Sequence, residues 1–131
     1  MNTYMASAGL KISEYHVSNA LLAIHPVRRL LNAAFQMREF METVVYGSEG
    51  NPIQIKIGIN FGKVIPVVIG GHKPQFSLVG DTVNTTSRVC STGQVSRITI
   101  SDAAYKYVRG SEFYLARREV PVISITIQKL N

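Results

Sequence analysis

Two polar side chains between Phe76 and Gly93 have the types and spacing that phosphate and sugar recognition require. Asn84 and Arg88 lie four positions apart in a stretch that we predict to be helical, so both would project from one face and could reach one ligand. The guanidinium of Arg88 carries a permanent charge and planar donors that suit phosphate oxygens, while the amide of Asn84 can donate to and accept from a ribose ring. The same spacing also fits a surface arginine paired with a carboxylate and an asparagine that satisfies a loop.

The segment that carries this pair is predicted to be a short strand followed by a helix. The strand would run from 76 to 79 and the helix from 81 to 90, with a turn at Gly80 between them. Asp81 stands at the start of the helical run, where its carboxylate could accept backbone N–H groups as an N-cap. We interpret Cys90, near the end of the helix, as a small buried apolar residue rather than a nucleophile.

Strands interleaved with helices are predicted along the rest of the chain. The predicted elements are a strand over 4–10, a helical stretch over 14–46 that Pro26 ends or kinks, strands over 53–59, 64–69 and 97–100, a helix capped by Ser101 or Asp102 that runs to 108, and strands over 113–118 and 122–130. We expect the strands over 53–59 and 64–69 to form a hairpin. Pro66 has no N–H to donate, so it predicts an edge or a bulge. This order favours an α+β sandwich, with helices over one face of a mostly antiparallel sheet, in one domain over 1–131.

Composition excludes several classes of protein. The chain has 131 residues, 46% of them hydrophobic, and no apolar run of the roughly 18 residues that a membrane span needs. The net charge of +6 is scattered rather than clustered, so we expect no nucleic-acid partner. A single cysteine excludes an internal disulfide and favours a cytoplasmic setting. The spacing of His16, His25 and His72 does not suggest a metal site, and we expect structural roles for them.

Collinear segments over most of the chain resemble class III adenylate and guanylate cyclases. The segments are Tyr4 to Leu10, Lys56 to Ile65, Lys73 to Phe76, and the stretch from Phe76 to Gly93. The resemblance implies a fold that is ferredoxin-like at its centre. Its first strand and helix would precede residue 1, so we expect this chain to be a fragment of a longer protein or a natural truncation. The resemblance is compatible with a cytoplasmic protein or with the cytosolic domain of a larger membrane protein.

The resemblance also implies roles for individual residues. Asn84 would orient the ribose, and Arg88 would stabilise charge on the phosphates of GTP or ATP. Ser77 falls at the base-selecting position, where a hydroxyl weakly favours guanine; the alternative is an ordinary strand hydroxyl bonded to backbone. In this family two aspartates hold two metal ions, Mg or Mn. Neither aspartate is evident, since the first would lie upstream and Asn60 occupies the position aligned with the second.

The resemblance therefore implies the nucleotide-binding half of a cyclase. A second cyclase half, as a homo- or heterodimer partner, would hold the metals and complete a site that forms cGMP, slightly favoured over cAMP. Pro66 and Val67 replace small residues of the family, and no lysine stands in the segment from Val120 to Ser124. These departures keep open a catalytically inactive pseudo-cyclase with a regulatory or dimerising role. A basic RNA-binding module is a third reading, disfavoured because its strands lack interleaved surface aromatics.

Overall fold

The computed structural model describes residues 3–10, 20, 23–108, 113–118 and 124–129. Three helices occur in this part of the chain: α1 (Pro26–Glu42), α2 (Asp81–Ser91) and α3 (Asp102–Tyr105). Eight strands accompany them: β1 (Val45–Tyr46), β2 (Asn51–Pro52), β3 (Ile57–Ile59), β4 (Ile65–Ile69), β5 (Gln75–Val79), β6 (Ile98–Ser101), β7 (Phe113–Arg118) and β8 (Ser124–Lys129). The predicted α+β class is confirmed.

Helix α1 begins at Pro26 and supplies one side of the core. Proline fits the first helical position because its missing N–H would have no partner there, so it starts the helix rather than kinking it. The buried residues follow helical spacing: Val27, Leu31, Ala34 and Phe35. The helix ends at Glu42, and the prediction that it reaches residue 46 is wrong because Val45 and Tyr46 pair with β2. The helix predicted ahead of Pro26 falls largely outside the described residues.

The main sheet has the strand order β3-β6-β8-β7. Strands β3 and β6 are parallel, with Ile57 opposite Ile98 and Ile59 opposite Ile100, whereas the β6/β8 and β7/β8 pairs are antiparallel. The predicted hairpin between β3 and the next strand is therefore wrong. Strand β3 instead pairs with the parallel strand β6. Helices α1 and α2 both contact β3, as is typical of parallel strands, whose faces are covered by helices. Ile59, Ile98 and Ile100 join the residues of α1 in one core.

Strands β4 and β5 form a separate antiparallel hairpin. Its register runs from Ile65 opposite Val79 to Ile69 opposite Gln75, and Gly70 adopts a φ of 106° where the chain turns. In the described part of the chain β4 pairs with β5 alone, which gives Pro66 the edge position that the sequence predicts. Three apolar side chains of β4 are more than half exposed: Ile65, Val68 and Ile69.

Residues 3–10 form no strand, so the strand predicted there is wrong. Tyr4 is 93% exposed, and this segment pairs with no strand in the described part of the chain. A strand needs a ladder partner for its backbone groups, and none of the described strands pairs with this segment. Among the described residues, no helix is long and apolar enough to cross a membrane.

Candidate functional site

Helix α2 follows directly on strand β5 and carries both predicted binding residues. Its N-cap is Gly80, with a φ of 132°, and no side chain caps the helix there. The prediction that Asp81 is the N-cap is therefore wrong by one position. Asp81 is instead the first helical residue, where its carboxylate lies near the positive end of the helix dipole.

Asn84 and Arg88 are both exposed, and Val89 is the fully buried residue of the helix. One helical turn separates the pair, which is about 6 Å along the helix axis. Ser77 lies on β5 opposite Val67 and is half-buried. Within the described residues no hydrogen bond joins Ser77 to Asn84 or Arg88. The geometry thus brings two of the three predicted residues to one exposed helix surface and places the third on the preceding strand.

The last turn of α2 packs on strand β3 at a glycine. A Cβ on Gly58 would lie 2.5 Å from the backbone nitrogen of Cys90 and 2.6 Å from its Cα, so only glycine allows this approach. The Sγ of Cys90 donates to the carbonyl of Lys56 at 3.7 Å, and Lys56 Nζ donates to the carbonyl of Ser91 at 3.4 Å. Cys90 is half-buried rather than buried as the sequence predicts, and its backbone packs against Gly58.

The first turn of α2 is held by two hydrogen bonds to the connection between β3 and β4. Thr82 Oγ1 donates to the carbonyl of Lys63 at 2.7 Å, and the Nδ2 of Asn60 donates to the carbonyl of Thr82 at 3.2 Å. A Cβ on Gly62 would lie 2.5 Å from Thr82 Oγ1, so this glycine makes room for the contact. Sequence reasoning missed the roles of Gly58, Gly62 and Thr82; a glycine inside a strand, with a second glycine four positions later, is the signal that could have indicated a close approach.

The described residues do not fit a metal site. No group of three or more His, Cys, Asp or Glu side chains comes together among them. Asn60, aligned above with a metal-binding aspartate, instead uses its amide in two structural hydrogen bonds: it donates to Thr82 and accepts from Ser101 Oγ at 2.6 Å. We therefore assign no metal-dependent step to this chain.

His25 caps α1 and packs in an aromatic cluster with Phe61 and Tyr107. Its Nδ1 accepts from the backbone N–H of Val27 at 3.2 Å, and its ring stacks on Tyr107 at a centroid distance of 3.9 Å. Burial, and then the positive charge of Arg29, lower the pKa of His25 from its ordinary value. The neutral ring that the cap requires is thereby favoured, and the structural role predicted for His25 is confirmed.

Solved structures define the class of protein. The fold matches the guanylate cyclase domain of RhGC from Catenaria anguillulae, solved in complex with GTP, with a TM-score of 0.68 and 34% identity over 78% of this chain and 58% of that one. It also matches the catalytic core of a rhodopsin-guanylyl cyclase with converted specificity, solved with ATPαS, with a TM-score of 0.71 and 32% identity over 80% of this chain and 60% of that one. The architecture is that of a nucleotide cyclase catalytic domain.

The chain belongs to the adenylate and guanylate cyclase catalytic domain family, whose family model matches residues 2–125. The soluble guanylate cyclase subunit beta-2 of Rattus norvegicus is 38% identical over 91 residues, which are 70% of this chain and 13% of that protein. A guanylate cyclase of Toxoplasma gondii is 48% identical over 68 residues, or 52% of this chain and 2% of the relative. The chain thus spans a small part of these curated relatives.

Proposed function

We propose that this chain is the nucleotide-binding half of a class III cyclase, which forms a cyclic nucleotide from GTP or ATP together with a metal-binding partner half in the cytoplasm. The observation that carries the proposal is the exposed pair Asn84 and Arg88 on a helix anchored at both ends. Anchoring matters because a catalytic group contributes only when it is held in its productive geometry.

In the proposed reaction the ribose 3′ oxygen attacks the α-phosphorus. The new bond joins these two atoms, the bond from the α-phosphorus to the bridging oxygen breaks, pyrophosphate leaves, and the 3′ hydroxyl releases its proton. Arg88 would donate to the phosphate oxygens on which charge grows in the transition state. Asn84 would hold the ribose so that its 3′ oxygen faces the phosphorus. Each role uses the donors and acceptors that the side chain possesses.

A preference for GTP rests on Ser77 and on the relatives. Ser77 is half-buried on β5, with a hydroxyl that can donate or accept. The relatives described above are named guanylate cyclases, and one related domain was solved with GTP. A related core with converted specificity was solved with an ATP analogue, so this fold accommodates either purine.

The partner half would supply what the described residues lack. A second cyclase domain, identical or different, would hold Mg or Mn with its aspartates, while this chain presents Asn84 and Arg88. Those ions would stabilise the negative charge of the reacting triphosphate. The related RhoGC domain from Blastocladiella emersonii has been solved both as a non-canonical dimer, with a TM-score of 0.66, and as a monomer, so two domains of this fold can associate.

Mixing this chain with a metal-competent cyclase half and measuring cyclic nucleotide tests the proposal. We expect Arg88→Ala to lower the rate by about 10²-fold or more, the usual effect of removing one donor to a developing negative charge. Arg28→Ala is the matched control, since Arg28 is also exposed but lies on α1. Equal activity of the parent chain and Arg88→Ala would refute the assigned role.

A pseudo-cyclase that binds nucleotide or dimerises without turnover is the second candidate. The structural engagement of Asn60 and the absence of a metal-binding cluster in the described part of the chain favour it. Binding of GTP by the complete pair, without product in the presence of either Mg²⁺ or Mn²⁺, would support this candidate over the catalytic one.

A further inference from the structure

A line of hydrogen bonds connects helix α3 to the first turn of α2 through Asn60. The N–H of Ala104 donates to Ser101 Oγ at 3.2 Å, and Ser101 Oγ donates to Asn60 Oδ1 at 2.6 Å. Asn60 Nδ2 then donates to the carbonyl of Thr82 at 3.2 Å. Ser101 is only 4% exposed, so its end of the line is shielded from water. Loss of a link would leave a polar group without its partner.

The chemistry of the neighbours fixes which way the amide of Asn60 points. The carbonyl of Thr82 can only accept, so it must face the NH₂ group of Asn60. Ser101 Oγ accepts from Ala104 and therefore has its proton available for the oxygen of Asn60. The position thus requires a short side chain that both donates and accepts, which an amide satisfies and a carboxylate or an aliphatic group does not.

Thr82 connects this line of hydrogen bonds to the backbone of α2. It is the second residue of the helix, two positions before Asn84, and its carbonyl also accepts from Thr86 Oγ1 at 2.6 Å. At the other end of α2, the close approach of Gly58 to Cys90 holds the last turn on β3. Asn84 and Arg88 lie between these two anchors, so the Asn60 contact limits how far they can shift along the helix axis.

We propose that Asn60 is a positioning residue for the reaction, acting through Thr82 on the helix that presents Asn84 and Arg88. This inference rests on the proposed function. Asn60 need not touch the nucleotide, because displacement of reacting groups by about 1 Å can cost about 10²-fold in rate.

The test compares variants of the full chain in the cyclase assay with the metal-competent half. Asn60→Asp is nearly isosteric and keeps the acceptor for Ser101, but it removes the donor to Thr82. We expect it to lower kcat by about 10-fold to 10²-fold, with a smaller change in KM. Ser101→Ala, which removes the hydrogen bond from Ser101 to Asn60, should also lower kcat. This variant replaces Asn60→Asp in the test if Asn60→Asp fails to fold. Val27→Ala is the control, because it destabilises the core at α1 without touching the line.

A double variant separates positioning from general destabilisation. Adding Asn60→Asp to Arg88→Ala should reduce activity less than adding it to the parent chain, since one of the two side chains to be positioned is already gone. A kcat for both Asn60→Asp and Ser101→Ala that matches Val27→Ala at equal thermal stability would overturn the inference while leaving the role of Arg88 intact. An inert Arg88→Ala would instead refute the proposed function itself.

Discussion

Replacing Gly58 by alanine should displace helix α2 and expose its dependence on strand β3. The added Cβ would meet the backbone nitrogen of Cys90 at 2.5 Å and its Cα at 2.6 Å, against ordinary contacts of 3.4 Å or more. Backbone atoms cannot rotate away, so the helix must move by about 1 Å, and overpacking of this kind costs about 1 to 3 kcal/mol. At about 4 °C per kcal/mol, the melting temperature should fall by about 4 to 12 °C.

Gly71→Ala is the matched control for this substitution. A Cβ there would meet nothing within 4 Å, so its melting temperature should stay within about 2 °C of the parent chain. Differential scanning fluorimetry of both variants measures the change in melting temperature, and the cyclase assay measures the change in activity. We expect Cys90→Ala to give no rescue in the Gly58→Ala background, because the obstructing atoms belong to the backbone. Equal melting temperatures for Gly58→Ala and Gly71→Ala would refute the reasoning.

Two further predictions concern stability. The pKa of His25 is lowered in the folded chain, so the unfolded chain binds more protons at pH values between that lowered pKa and about 6.5. The contribution of His25 to the free energy of unfolding is therefore complete above about pH 6.5 and declines as the pH falls through this window. Thermal melts should show a lower stability at about pH 5 than at about pH 7.5. The difference should be smaller in His25→Asn, which keeps a capping acceptor. An equal difference in this variant would show that other groups cause the loss of stability. Thr99→Val should raise stability by about 1 kcal/mol in urea unfolding, because the fully buried Thr99 hydroxyl has no hydrogen-bond partner in the described part of the chain; a lower midpoint would show that the hydroxyl is satisfied.

Local patterns predicted the secondary structure around Asn84 and Arg88 well. The strand before Gly80 and the helix after it occur within one residue of the predicted bounds, because hydrophobic periodicity and a glycine boundary both act locally. Ser101 caps α3 as expected, with its hydroxyl accepting from Ala104. The exposed placement of Asn84 and Arg88 follows from the same periodicity, since Val89 turns inward.

Pairing between distant segments was the part that sequence patterns could not predict. Strand β3 alternates like half of a hairpin, yet it pairs with β6, which lies some 40 residues further along the chain. A short turn made the adjacent strand the obvious partner, but β3 takes a parallel neighbour and contacts both α1 and α2. The roles of Gly58 and Asn60 depend on that pairing and on the packing of α2, so neither could be inferred from spacing alone.

The division of α2 into an anchored inner face and an exposed outer face has a consequence for how the domain can change. Contacts of Gly58, Gly62 and Asn60 use the backbone or the inner side of the helix, and none of them involves the side chain of Asn84 or Arg88. Residues of the outer face can therefore be randomised in a library while the helix keeps its contacts with the rest of the domain. Evolution of new ligand preferences in such a domain need not disturb its folding.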